Sequence, residues 1–170
     1  RLSVQCNAKQ KEEVRFLLRN MRADVFKHTV FLVQQGYYFN EEQEKMNFLD
    51  ARTMIDGTKF YTSPQTVHHI PTMINETIVK VENIDCLLAA ENLLKEGYHP
   101  AVLNMASRQN PGGGVQNGAG AQEENLFRRS NLFQSLYQFA PFASNFGLHK
   151  SKYQYPLDRN FGGIYTSHAT

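Results

Sequence analysis

Residues 101–129 read AVLNMASRQNPGGGVQNGAGAQEENLFRR. The stretch opens with Ala101–Met105, a nearly continuous apolar run of the kind buried in a parallel sheet. Just upstream, Thr77–Val81 (TIVKV) is rich in β-branched residues and predicts a strand. Asn83 is the expected N-cap of a helix from Ile84 to Lys95, with Leu87, Leu88 and Leu94 facing inward and Gly97 as its stop. Strand, helix and strand imply a right-handed parallel crossover, which places the fold in the α/β class. In such sheets ligands gather at the carboxyl ends of strands, and residues 106–114 (ASRQNPGGG) leave the second strand at that end.

Five of the eleven glycines fall at positions 112, 113, 114, 118 and 120. Gly112, Gly113 and Gly114 remove every Cβ from the loop surface, so main-chain amides can approach phosphate or ribose oxygens, and the next helix adds its positive end. An anionic or polyol ligand follows; the alternative is a loop that only turns a corner. A dinucleotide-binding GxGxxG would need glycine where Asn117 stands, and no Gly-Lys-Ser/Thr is present to form a P-loop. Gln122, Glu123 and Glu124 then occupy the first turn of a predicted helix running to about Gln138, with Leu126, Phe127, Leu132, Phe133, Leu136 and Tyr137 as core positions and Pro141 ending it. Acidic residues at a helix start offset the macrodipole, which would make the pair structural. Beside a loop able to cradle a ribose phosphate, they also fit a binding carboxylate next to a catalytic one, since successive helical positions are rotated by about 100° and cannot do the same task. Glycosidic cleavage needs an acid on the departing oxygen and then a base for water, and one carboxyl can serve in turn.

Before this region, Val14, Leu17, Leu18, Met21, Val25 and Leu32 recur at helical spacing and predict one or two helices from Lys9 to Gln35, ended by Gly36. Tyr37–Asn40 and Met46–Leu49 are short β-like runs, and Ala51–Phe60 is a helix candidate. Pro64 and Pro71 punctuate a connector, and a module boundary is expected near residue 77. Beyond Pro141 the chain is loop-rich and aromatic, with a candidate strand at Gly163–Thr166. His68–His69 lack a carboxylate or cysteine at ligand spacing and read as a solvated or capping pair. Arg128 and Arg129 are candidates for phosphate contact, with a helix-surface role as the alternative, and the aromatics from Phe133 to Tyr165 read as core more readily than as an adenine stack.

The 170 residues, 19.5 kDa, suggest one main core. With 41% hydrophobic and 20% charged residues, wholesale disorder is excluded. A formal charge of +2 lacks the basic excess of sequence-independent DNA or RNA binding, so neither is expected as a partner. No apolar run approaches the roughly 20 residues of a membrane helix, and the first ten residues lack the apolar segment of a secretory signal; a soluble, cytoplasmic protein with no membrane association is expected. Cys6 and Cys86, without CxxC spacing, suggest neither zinc nor a disulfide framework, and Cys86 reads as a small buried hydrophobe.

Gly112-Gly113-Gly114, seven residues, then Gln122-Glu123-Glu124 resembles the GGG-x(6–8)-QEE signature of poly(ADP-ribose) glycohydrolases. Val102–Ser107 before it and Leu126–Leu132 after it are similar to the microbial branch of that family. The resemblance covers roughly residues 77–170 and implies the first part of a macrodomain, a three-layer α/β/α sandwich, preceded by a mainly helical accessory module over residues 1–76. It implies hydrolysis of the ribose–ribose O-glycosidic bonds of poly(ADP-ribose), releasing ADP-ribose, without a metal or cofactor. Glu124 would be the general acid/base; Glu123 and Gln122 would position the distal ribose and the scissile linkage. Gly112, Gly113, Gly114 and Val115 would line the diphosphate and ribose with backbone groups, and Asn110 or Ser107 would reach a ribose hydroxyl. Asn104 stands where animal members carry an aspartate. The family completes its site with a second glycine-rich loop and aromatic residues, expected beyond Thr170. A non-catalytic ADP-ribose reader and an inactive fragment are the alternatives; ADP-ribose, its polymer or ADP-ribosylated proteins are the expected partners.

Overall fold

The computed structural model describes residues 7–48, 50–62 and 77–169. Helices and short antiparallel strands are mixed, an α/β composition. Two compact units are present, Arg1–Pro64 with Met105–Thr170, and Gln65–Asn104. The boundary expected near residue 77 falls inside the second.

In the first unit, α1 (Ala8–Gln35) is a single helix. Asn7 starts it with a capping box: its side chain accepts from Gln10 N at 2.9 Å, while Gln10 Oε1 accepts from Asn7 N at 3.0 Å. Gly36, at φ +86°, ends it by donating to the carbonyls of Leu32 and Val33. The stripe of Val14, Leu17, Leu18, Met21 and Val25 stays 43–64% exposed. Phe26 and Val33, two turns apart on another face, are buried instead. The β-like runs form a hairpin, β1 (Tyr37–Phe39) against β2 (Lys45–Asn47), with Tyr38 opposite Met46; Leu49 lies outside the described residues. The helix expected over Ala51–Phe60 shortens to α2 (Ala51–Gly57), capped by Asp50, because the chain turns at Thr58 into β3 (Lys59–Tyr61). β3 pairs antiparallel with β4 (Gly163–Tyr165), Phe60 opposite Ile164.

The core lies where the sequence pattern puts it. Leu126, Phe127, Leu132, Phe133, Leu136 and Tyr137 are all buried. They sit on two helices rather than one, α4 (Gln122–Arg129) and α5 (Leu132–Tyr137). Ser130 makes the break: it is extended, its hydroxyl donates to Leu126 O at 2.8 Å and accepts from Leu132 N at 3.2 Å, so a side chain replaces helical bonds. Phe26 of α1 joins this core, its ring 6.2 Å from Phe127 and Phe133 and 6.3 Å from Tyr137. Phe139 is buried with them, whereas Tyr153, Phe161 and Tyr165 are 39–53% exposed. The buried Ser135 hydroxyl bonds Thr58 Oγ1 at 2.8 Å and Thr166 Oγ1 at 2.7 Å, tying the ends of α2 and β4 to α5.

The described part of the second unit is built on α3 (Cys86–Lys95). Its N-cap is Asp85 rather than Asn83, the carboxylate accepting from Leu87 N and Leu88 N at 3.0 and 3.3 Å. Gly97, at φ +89°, is the expected stop. Neither predicted strand forms: Thr77–Val81 and Ala101–Met105 have no regular structure, with Ile78, Val79 and Val81 at 84–93% and Leu103 at 80% exposure. Leu88 and Leu94, expected inward, are 47% and 58% exposed. Strand propensity expresses fit to a half-buried, hydrogen-bonded sheet, and no ladder partner faces these segments among the described residues. The parallel crossover is therefore absent among the described residues. Pro64, Pro71, His68 and His69 lie outside the described residues.

Candidate active site

The glycine loop folds down onto the first turn of α4. Gly112 and Gly113 take positive φ, +74° and +53°. A Cβ on Gly112 would come within 2.6 Å of the Phe127 ring, and one on Gly113 within 2.5 Å of Glu124 Oε1. Glycine is thus required for conformation and for closeness at once. Reverse turns carry the chain onward: Gly113 N donates to Asn110 O, Val115 N to Gly112 O, and Asn117 N and Ala119 N to Gly114 O, each at 3.0–3.1 Å.

Glu123 and Glu124 are 3% and 6% exposed, yet their environments differ. Glu123 Oε2 accepts from Ser107 N at 2.7 Å and Oε1 from Gly112 N at 3.0 Å, so both oxygens fasten the loop. Glu124 Oε1 accepts from Gly114 N at 3.0 Å. Glu124 Oε2 is buried and has no hydrogen-bond partner among the described residues. A buried oxygen left without a donor carries a desolvation cost of about 1–3 kcal/mol, which a ligand hydroxyl or water would relieve. Gln122 Oε1 accepts from Met105 N at 2.8 Å, tying the entry of the loop to the helix start.

The amides of residues 112–115 were expected to line a ligand, but all four are already donated within the protein, two of them to Glu123 and Glu124. The carboxylates outcompete an outside anion because they are covalently present beside the loop. Val115 is 1% exposed, its side chain in the core. Asn110 is exposed, and Ser107 is half-buried, its hydroxyl oxygen accepting from Asn110 N at 3.3 Å.

Arg128 is 8% exposed, not on the helix surface. Its Nη1 donates to Ala119 O at 2.8 Å and its Nη2 to Asn125 Oδ1 at 3.0 Å, so it clamps the far side of the loop. Its place one turn after Glu124 is the sequence signal for this buried, clamping role. Burial, followed by the charge of Arg22, lowers its pKa. Burial raises the Tyr137 phenol to about 12, a Gln116 hydrogen bond opposing it and the Glu123 charge adding to it. Tyr155 is pushed upward by burial and then by Glu123. Both therefore remain neutral phenols beside the carboxylates at neutral pH. Among the described residues no three His, Cys, Asp or Glu come together to hold a metal ion, and Cys86, expected as a buried hydrophobe, is half-buried.

A family model described as microbial-type PARG, catalytic domain, matches residues 27–170. The chain belongs to the microbial-type PARG family. The match begins inside α1, so the helix that supports the loop is partly within the PARG domain. The crystal structure of poly(ADP-ribose) glycohydrolase (PARG) from Thermomonospora curvata is 28% identical, with a TM-score of 0.56, over 69% of this chain and 46% of that one. The structure of poly(ADP-ribose) glycohydrolase from the same organism bound to the inhibitor ADP-HPD is 30% identical, with a TM-score of 0.55, over 69% and 44%. The chain spans less than half the length of these PARG structures. Comparison with curated proteins finds no match.

Proposed function

We propose that this chain supplies the glycine loop and the reactive carboxyl of a poly(ADP-ribose) glycohydrolase, a glycosidase that cleaves ribose–ribose O-glycosidic bonds and releases ADP-ribose. The observation that carries this reading is the division of labour in the acidic pair: Glu123 uses both oxygens on the loop, while Glu124 keeps one buried oxygen unpartnered. Glu124, held by Gly114 N through Oε1, presents Oε2 to the scissile linkage. As the acid it donates its proton to the departing ribose oxygen while the glycosidic C–O bond breaks. As the resulting carboxylate it takes a proton from the water that attacks the oxocarbenium-like carbon, which restores the acid.

Around this centre, Gln122 and Glu123 position the distal ribose by fixing the loop, and Gly112, Gly113 and Gly114 let the loop lie against Phe127, Glu124 and Ala119, where a Cβ would intrude. Asn110 and Ser107, at the loop mouth, are within reach of a ribose hydroxyl by location. The same reading takes residues 77–170 as the first part of a macrodomain sandwich, residues 1–76 as an accessory module, and the cytoplasm as its place. The family membership and the PARG relatives support the glycohydrolase activity in this reading.

The test is Glu124→Gln in the protein, assayed for ADP-ribose release from polymer and, by calorimetry, for ADP-ribose binding. Turnover is expected to vanish while binding survives. Unchanged turnover refutes the role of Glu124, and wild-type binding of ADP-ribose without hydrolysis would make the protein a reader.

A further inference from the structure

The core-facing arc of α1 changes character along its length. Phe26 and Val33 bury it at one end; toward the N-terminus the same arc carries Arg22, Arg19, Arg15 and Lys11, at spacings of four, three, four and four residues from Phe26. These four side chains are exposed, and none forms an ion pair with a described residue. Glu12 shares the arc; Asp24 lies on the opposite side and pairs with Lys27 at 2.9 Å. The basic row spans about 16 Å.

It ends at the glycine loop. A Cβ on Gly120 would fall 2.6 Å from Arg22 Nη1, and one on Gly118 would overlap the Arg19 carbonyl, so both glycines are seated on α1. From the other side Arg128 Nη1 holds Ala119 O at 2.8 Å. Two guanidiniums thus converge on Ala119–Gly120 with no carboxylate ion-paired to either, an arrangement in which like charges repel until an anion joins them.

We propose that the Lys11–Arg15–Arg19–Arg22 face of α1, ending where Arg22 and Arg128 flank Gly120, is a track for the pyrophosphate groups of ADP-ribose polymer units adjoining the one held at the glycine loop. The inference rests on the reading of that loop as an ADP-ribose site. Each unit brings a pyrophosphate, and exposed arginines and lysines hold such groups by charge and counterion release.

The test combines Lys11→Gln, Arg15→Gln and Arg19→Gln in a Glu124→Gln background that leaves the polymer intact, and measures binding of long polymer and of monomeric ADP-ribose over a range of salt. Polymer affinity is expected to fall about tenfold and the slope of log K against log salt to flatten by about 2, at roughly 0.7 for each phosphate no longer neutralised. Monomer affinity is expected to stay within twofold, and the charge-keeping set Lys11→Arg, Arg15→Lys and Arg19→Lys to retain polymer affinity. Unchanged polymer binding, or equal weakening for polymer and monomer, overturns the track. Single-stranded RNA binding as tightly as polymer overturns its assignment to ADP-ribose units. Hydrolysis by protein with an intact Glu124 is followed in parallel: charge-dependent polymer binding without hydrolysis leaves the track standing and defeats the glycohydrolase reading.

Discussion

Gly113→Ala separates closeness from backbone strain more sharply than any other single change. At φ +53° the left-handed conformation costs an alanine about 1–2 kcal/mol. Its Cβ would also sit 2.5 Å from Glu124 Oε1 and 3.4 Å from Glu123 Oε2. One carboxylate must move, and if Glu124 does, its 3.0 Å bond from Gly114 N is broken inside a buried site, adding about 1–3 kcal/mol. The sum is about 2–5 kcal/mol, and if Glu124 is the acid/base proposed above, displacing its carboxyl by about an ångström costs on the order of a hundredfold in rate. Gly147→Ala is the control: its φ is +70°, yet nothing lies within 4 Å of the added Cβ. Denaturant unfolding and steady-state release of ADP-ribose from polymer are measured for both. Gly147→Ala should lose about 1–2 kcal/mol with turnover unchanged, whereas Gly113→Ala should lose more stability and at least about a hundredfold in kcat. Equal stability losses, or Gly113→Ala turnover within threefold of wild type, would refute the claim that the loop sets Glu124.

Glu123→Gln places an amide nitrogen against a backbone N–H that now donates to a carboxylate, so unfolding should show a loss of about 1–3 kcal/mol, against a smaller loss for Glu124→Gln, which keeps Oε1 as an acceptor and changes only the unpartnered oxygen. Ser135→Ala leaves the hydroxyls of Thr58 and Thr166 without their shared partner and should cost about 1–3 kcal/mol, part of it recovered by adding Thr166→Val; full additivity in the unfolding data would contradict a shared network. Tyr137 titrates near 10 when unfolded and about 12 when folded, so its contribution is complete below pH 10 and is lost as pH rises toward 12. Stability should fall by about 2–3 kcal/mol across that window and fall less in Tyr137→Phe, which urea midpoints at pH 9 to 12 would reveal.

The sequence carries the local signals well and the pairing signals poorly. Gly36 and Gly97 stop helices where their spacing says, and six apolar positions between Leu126 and Tyr137 all reach the core, since both follow from rules acting over a few residues. The Ser130 break is equally local, but a serine inside an apolar period has no signature that distinguishes it from a tolerated one. Thr77–Val81 and Ala101–Met105 carry strand composition without strand structure, because a ladder needs a neighbour that composition cannot supply. On α1 two arcs compete, and the larger apolar one stays exposed; Phe26 wins because Phe127, Phe133 and Tyr137 meet it there, a fact belonging to the partner helices.

The site shows the same division with a reversal in it. The motif brings together the residues expected of it, yet the anion that the loop amides attract is the protein's own: Glu123 takes Ser107 N and Gly112 N, and Glu124 takes Gly114 N. A glycine-rich loop before a helix has surplus donors, and two carboxylates in the first helical turn are the nearest acceptors, so the loop closes on them before any ligand arrives. Three donors meet four carboxylate oxygens in these bonds, and the fourth, Glu124 Oε2, is buried with no donor facing it among the described residues. What first reads as a cradle for phosphate is therefore a clamp that holds the Glu124 carboxyl through one oxygen and leaves the other without a partner among the described residues.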